Sequence, residues 1–235
     1  MTLRDACADL LLGGHCVGCA RPGRPLCPDC DAALPTGAEE RRPSPCPPGL
    51  ARTVSAAAYD GTARALVLGL KEHRMQPLVP TLGRLLAIAV REALRDRTGP
   101  VVLVPVPSRP GVVRSRGLDT TWAVTVAATR RLRVDDADVS AARLLRTRAG
   151  LVDQSGLDAE GRAANLAGSL TVPAVLLRRL ARRVPRCRIV VCDDVITTGA
   201  TAREAQRALE AVGLEVAAIA SVAATARRFA PVGIS

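Results

Sequence analysis

The chain has 235 residues, 48% of them hydrophobic, and a formal net charge of +11. That length supports one sizeable core plus a small extra module, and that composition excludes a disordered or fibrous chain. Tyr59, Trp122 and Phe229 are the only aromatic residues, which argues against base stacking on aromatic platforms as the main activity.

Lys71 is the only lysine, so arginine carries the positive charge. Two readings stand: a polyanionic partner such as nucleic acid or a phosphorylated ligand, or an arginine-rich coding bias with solvated charges. The arginines are scattered and form no single block. No apolar stretch is long enough to cross a bilayer. The opening run MTLRDACADLLLGG carries Asp5 and Asp9 and is too short for a secretory apolar region. A cytoplasmic protein with reduced thiols is the expectation.

The first segment is cysteine-rich. Cys16 and Cys19, then Cys27 and Cys30, form two C-x-x-C pairs with a short turn between them that contains Pro22, Gly23 and Pro25. Each pair folds into a tight knuckle that aims two thiolates at one point, and two knuckles complete a tetrahedral Zn(II) site. Four sulfur ligands leave no open position for water, so the zinc is expected to be structural. Cys7 and Cys46 are left over, and either could replace one of the four; His15 is a weaker substitute. The alternatives are disulfides or a site that has lost its metal. Pro35 to Gly49 is rich in proline and charge and reads as a linker. This divides the chain into a cysteine module with linker, residues 1–48, and a main domain, residues 49–235.

In the main domain, apolar strands alternate with amphipathic helices. Leu82, Leu85, Leu86, Ala89, Val90, Ala93 and Leu94 form one stripe of a helix. Val101 to Val106 is a continuous apolar run, as expected of a strand buried on both faces. A helix follows, with Asp119 or Thr120 near its N-cap. Arg188 to Asp194 reads as a second buried strand. The next helix turns Ala205, Ala208, Leu209 and Val212 inward and ends at Gly213, and Glu215 to Ala223 is another strand. The alternation implies an α/β fold with a mostly parallel sheet.

The stretch IVVCDDVITTGAT, Ile189 to Thr201, carries the chemistry. Ligands of a parallel sheet sit outside the carboxyl ends of its strands, where Asp193 and Asp194 fall. The loop that follows feeds a helix starting near Ala200, and a helix N-terminus with free N–H groups holds a phosphate. Thr197, Thr198 and Thr201 add hydroxyl donors, and Gly199 lets the backbone come close to the anion. Carboxylates beside a phosphate are explained if a sugar lies between, its vicinal hydroxyls donating to them. The implied ligand is a ribose 5-phosphate. The plain alternative is a surface turn with a capping aspartate.

These residues resemble the phosphoribosyl pyrophosphate (PRPP) signature of type I phosphoribosyltransferases. The tetracysteine module ahead of such a domain resembles the ComF family, named for competence protein F. Further segments resemble that family in order across nearly the whole chain: Tyr59 to His73; VPVPSRPGVVRSRGLD; and the segment with Arg146, Gln154, Leu157, Arg162 and Asn165. Many members continue Arg-Gly with an aromatic residue, Asn and Gln, whereas Arg116 and Gly117 are followed here by Leu118, Asp119 and Thr120.

The resemblance implies a type I phosphoribosyltransferase-like sheet flanked by helices, with a small zinc-binding module in front. It implies a PRPP site at Asp193, Asp194, Thr197, Thr198, Gly199, Ala200 and Thr201. It implies a pyrophosphate loop in which Ser108 donates and Arg109 neutralises charge, with bound Mg(II). Arg114, Arg116 and Gly117 would lie on a closing loop. Gln154, Arg162 and Asn165 would form or tie down a hood over the acceptor. Lys71 would contact pyrophosphate or remain an exposed helix-end charge. The implied reaction is transfer of phosphoribosyl to an acceptor with release of pyrophosphate. The competing reading is a non-catalytic PRPP- or nucleotide-binding protein that acts through DNA-uptake or DNA-handling partners. Direct DNA binding by an arginine-rich face is a third reading, disfavoured by the few aromatics.

Overall fold

The computed structural model describes residues 14–95, 98–108, 117–134, 138–148 and 168–225. It begins with the cysteine pairs and a one-turn helix α1 (Pro28–Ala32). Strands β1 (Glu39–Glu40) and β2 (Thr53–Ala58) follow, then helices α2 (Gly61–Lys71) and α3 (Val79–Ala93). Next come β3 (Val101–Pro105), α4 (Thr120–Val134), β4 (Val139–Ala141) and the short strands β5 (Arg146–Thr147) and β6 (Leu170–Thr171). The chain continues through α5 (Ala174–Arg183), β7 (Arg188–Ile196), α6 (Ala200–Glu210) and β8 (Val216–Ala224).

Six strands form one sheet in the order β1-β2-β8-β7-β3-β4. Every pairing is parallel except β1 with β2. This is the expected α/β architecture with a mostly parallel sheet. The apolar strand runs have the reason foreseen: both faces are covered. Val101, Leu103, Val190 and Cys192 face a layer that includes Leu66, Leu85 and Val124 of α2, α3 and α4. Val102, Val104, Ile189 and Val191 face Leu180 of α5 and Ala205 and Leu209 of α6.

The helices match their stripes. Leu82, Leu85, Leu86, Ala89, Val90 and Ala93 of α3 are all buried. Gly83 brings α3 against α4, since a Cβ there would lie 2.5 Å from the Ala127 Cβ. Asp119 caps α4, accepting from the Trp122 N–H at 3.1 Å. α6 closes with Gly213 N–H on Glu210 O and Leu214 N–H on Leu209 O, the paired bonds of a glycine C-cap.

The Pro35 to Gly49 segment differs from a free linker. Glu39 and Glu40 pair with β2, adding the antiparallel edge strand. Further on, Arg203 Nε donates to Pro48 O at 3.0 Å and Gln206 Nε2 to Gly49 O at 3.0 Å, while the Ala51 N–H donates to Gln206 Oε1 at 2.9 Å. Two hydrogen bonds thus strap the segment to α6, and a third ties down Ala51 just beyond it. Composition signalled a segment without its own helix or core, and it could not signal that partners elsewhere would hold its backbone. Leu34, just before it, is buried in the same core as α3.

Glu204 of α6 is the main buried charge on this side. Its carboxylate accepts from the Leu170 N–H at 2.9 Å and from Arg207 at 2.6 and 2.8 Å, and Arg207 also reaches Leu170 O. Burial pushes its carboxyl up, but the Arg207 and backbone donors outweigh this and hold it below the usual range. A depressed carboxyl stabilises the fold above its unfolded value of about 4.3 and loses that contribution as pH falls through the folded value. Glu204→Ala is expected to cost about 2 kcal/mol, or about 4–8 °C in Tm for a chain this long, by thermal unfolding at pH 7. The deficit should shrink toward pH 3.

Candidate functional site

The chain leaves β3 toward β4 on one side, and leaves β7 toward β8 on the other. Adjacent parallel strands whose connections diverge open a crevice at their carboxyl ends. β3 pairs with β7 only as far as Pro105 opposite Cys192, with Val106 N–H donating to Cys192 O at 2.9 Å. β8 stays paired to the end of β7, Ile196 opposite Ala224. Residues Asp193 to Ile196 therefore form a strand edge that β3 has vacated, beside the loop that carries Ser108. The acid pair does not end the strand, as expected, but precedes its end by two residues. The continued β8 pairing holds the carboxylates on a rigid element.

Asp193 Oδ1 accepts from the Asp194 N–H and Asp194 Oδ1 from the Val195 N–H, each at 2.8 Å. Lys71, the last residue of α2, is not an exposed helix-end charge. Its Nζ lies 2.5 Å from Asp194 Oδ2, and its side chain is 27% exposed. Asp193 keeps some solvent access at its surface, yet the protein packed around it dominates its electrostatics. Desolvation first, then the neighbouring Asp194 charge, push its carboxyl well above the usual range, and Lys71 opposes them.

The loop after β7 leads into α6 through Gly199, which is at φ 71°. Thr197 and Thr198 are exposed, and Thr198 Oγ1 accepts weakly from the Ala200 N–H at 3.4 Å. The glycine is needed for a reason the sequence did not disclose. Its absent Cβ would lie 2.8 Å from Pro43 Cγ and 3.0 Å from Leu50 Cδ2, so that side faces the strap. The first-turn N–H groups of α6, which have no partner within the helix, lie at this junction beside Thr197, Ala200 and Thr201.

Ser108 Oγ donates to Asp119 Oδ1 at 3.3 Å. Asp119 also pairs with Arg143 at 3.2 Å, and the Arg143 guanidinium stacks 4.5 Å from the centre of the Trp122 ring. Asp119 thus orients the Ser108 hydroxyl while capping α4. Sequence reasoning placed Asp119 at a cap but had no signal for this bond, or for Arg143. Arg109, Arg114, Arg116, Gln154, Arg162 and Asn165 lie outside the described residues. The chain on either side of the Gln154 segment is drawn together: Arg146 pairs with Thr171, Thr147 with Leu170, and Arg148 N–H donates to Ser169 O. Cys192 is fully buried, and burial pushes its thiol up, as suits a core residue.

Cys16, Cys19, Cys27 and Cys30 bring their sulfurs within 4.8 Å of one another. Cys19 and Cys27 sulfurs are 3.7 Å apart, close to the edge of about 3.8 Å of a tetrahedron built on 2.3 Å metal–sulfur bonds. All four are free thiols. Burial raises the Cys16 thiol, but N–H groups led by that of Cys27 overcome this and lower it to about 6. The cluster could hold a metal ion. Cys46 is exposed and outside it, and Cys7 is not among the described residues.

No family model matches the chain. It is 30% identical over 137 residues to competence protein F of Haemophilus influenzae (strain Rd), covering 57% of this chain and 56% of that protein. It is 47% identical over 47 residues to orotate phosphoribosyltransferase of Sulfurovum sp. (strain NBC37-1), covering 20% of this chain and 23% of that enzyme. The matches thus span little more than half of the first relative and about a quarter of the second.

Two outcomes are expected from this geometry. Asp193→Asn removes a carboxyl that folding holds above its unfolded value of about 3.9. Such a group stabilises the fold fully below that value and loses the contribution as pH rises through the folded value. The variant should therefore melt a few degrees above the parent at pH 8, at about 2–4 °C per kcal/mol, and the gain should vanish near pH 3. For the cysteine cluster, Cys27→Ser should lower the bound metal measured by atomic emission to well under one equivalent, and a chelator should lower the Tm of the parent but not of the variant.

Proposed function

We propose that the chain binds PRPP with Mg(II) and transfers its phosphoribosyl group to a nucleophilic acceptor, releasing pyrophosphate. The observation that carries this reading is the acid pair on the vacated edge of β7, leading directly into a loop of threonines and glycine at the start of α6. The likeness to an orotate phosphoribosyltransferase supports it.

In this reading Thr197, Thr198, Thr201 and the backbone N–H groups from Gly199 and Ala200 hold the 5-phosphate. Asp193 and Asp194 accept hydrogen bonds from the ribose hydroxyls, Lys71 turning from Asp194 toward the incoming phosphate groups. Ser108, held by Asp119, donates to pyrophosphate, and Arg109 and Arg116 neutralise it. Mg(II), when bound, supplies positive charge to the pyrophosphate and ribose oxygens. The bond from C1 to the pyrophosphate oxygen breaks, its electron pair leaves with pyrophosphate, and the acceptor's lone pair forms the new bond to C1. Stabilising the departing charge and positioning the sugar are the chain's contributions. Gln154, Arg162 and Asn165 belong to the acceptor side.

The cysteine cluster is assigned structural zinc, since its four sulfurs fit a closed tetrahedral site. The division into a 1–48 module and a 49–235 domain, and a cytoplasmic location, belong to the same reading. A second reading is favoured by the likeness to a protein named competence protein F. There the PRPP or nucleotide site is a sensor without turnover, and the chain acts through DNA-uptake or DNA-handling partners.

Isothermal titration of the zinc-loaded protein with PRPP and Mg(II) tests both. Micromolar binding, weakened about a hundredfold or more in Asp193→Ala/Asp194→Ala, is the expected result, a change of about 2.7 kcal/mol. No binding by the parent would sink the ribose-phosphate site. Binding without pyrophosphate release across an acceptor panel would favour the second reading.

A further inference from the structure

Helix α4 buries Val124, Ala128 and Leu132 in the core, yet leaves apolar residues on its outer side as well. Its buried side carries four threonines: Thr120, Thr121, Thr125 and Thr129. The hydroxyls of Thr125 and Thr129 donate back to Thr121 O and Thr125 O, at 2.7 and 2.8 Å. The outward stripe, at four-residue spacing, is Trp122, Val126, Arg130 and Val134, and Val134 is 75% exposed. This stripe, with Val79, Pro80 and Arg84 from the start of α3, lines an open groove of about 880 Å³. Apolar residues lined up along the outer side of a helix are costly if that side faces water, and ordinary if it is covered.

The groove's charge restricts what covers it. Arg130 and Arg131 are exposed on its α4 side, and Arg84 stands on the α3 side with one contact to Asp31. The residues that line the groove include no carboxylate. A second copy of a chain with net charge +11 would bring the same arginines to the interface. A nucleic-acid strand would set its phosphates against Val126, Val79 and Pro80. An amphipathic helix satisfies both features at once, with apolar residues on the stripe and carboxylates at the rims. The stripe from Trp122 to Val134 spans about 18 Å, more than three turns of such a helix.

We propose that the groove between α3 and α4 docks an acidic amphipathic helix of a partner protein, with Trp122 and Val126 as its apolar contacts and Arg84, Arg130 and Arg131 as its charged ones. The groove shares no residue with the ribose-phosphate site, and it adjoins that site through Trp122, whose N–H reaches Asp119 and whose ring stacks on Arg143.

Trp122 is the only tryptophan of the chain and therefore reports on this groove. The probe is an acidic helical peptide of about 18 residues with leucines at i, i+4 and i+7, compared with a scrambled peptide of the same composition. The expected result for the full zinc-loaded chain is acrylamide-accessible Trp122 emission that shifts saturably with the helical peptide. The peptide should bind about tenfold or more tighter than its scramble, and weaken by a similar factor in Arg130→Glu/Arg131→Glu and in Val126→Glu, and more mildly with added salt. Arg130 and Arg131 are exposed and Val126 is half-buried, and circular dichroism checks that the variants fold. Equal response to the scrambled peptide, or none, would overturn the proposal. So would tighter displacement by a single-stranded oligonucleotide, a dimer by light scattering that shields Trp122, or shielding of Trp122 in the monomeric protein alone.

Discussion

The candidate site depends on one constraint: β3 stops pairing with β7 at Cys192, while β8 pairs with β7 to its end. A strand that keeps one neighbour and loses the other is rigid and open at once. Its backbone is fixed by the β8 ladder, while the edge that faced β3 is open to the crevice. That is why two carboxylates can sit at adjacent positions of a strand otherwise buried on both faces. One residue earlier, at Cys192, the environment is fully buried, and a carboxylate there would have no outlet.

Holding those carboxylates costs stability. Asp193 is disfavoured as an anion by the protein around it and by Asp194. The opposing charge comes from Lys71, at the end of α2, more than a hundred residues away in the chain. A site that bears unfavourable charge is poised to gain from a ligand that supplies hydroxyl donors and cations. Helix α6 is firmly tied down beside this strand: Arg203 and Gln206 grip the strap and Glu204 grips β6, so the start of the helix is held at a fixed place. Gly199 lies where loop, helix and strap meet, and only the lack of a side chain lets the three coincide.

The strap also changes how the front of the chain relates to the rest. Leu34 enters the main core, Arg84 of α3 pairs with Asp31, and β1 extends the sheet. The cysteine cluster is therefore built onto the same body as the crevice. A metal at the cluster would stabilise the helices beneath it, α2 among them, whose last residue is Lys71.

Much of this was legible in the residues. Period and apolar runs identified α3, β3, β7 and α6, because amphipathic stripes and doubly buried strands leave unambiguous patterns. The cysteine spacing identified the cluster, because two knuckles can converge on one point with few other solutions. The acid pair and its threonine-glycine loop singled out the candidate site, because that combination of charge and small residues is out of place in a core strand. Other features came only with tertiary structure. No local pattern states that Lys71 reaches Asp194, that Asp119 holds Ser108, or that prolines from residue 43 onward cover Gly199. Nor does one state that α4 turns its threonines inward. Those pairings join residues far apart in the chain, and the order of the strands decides them: sequence determines what each element can bury, and the packed sheet determines which side chains meet.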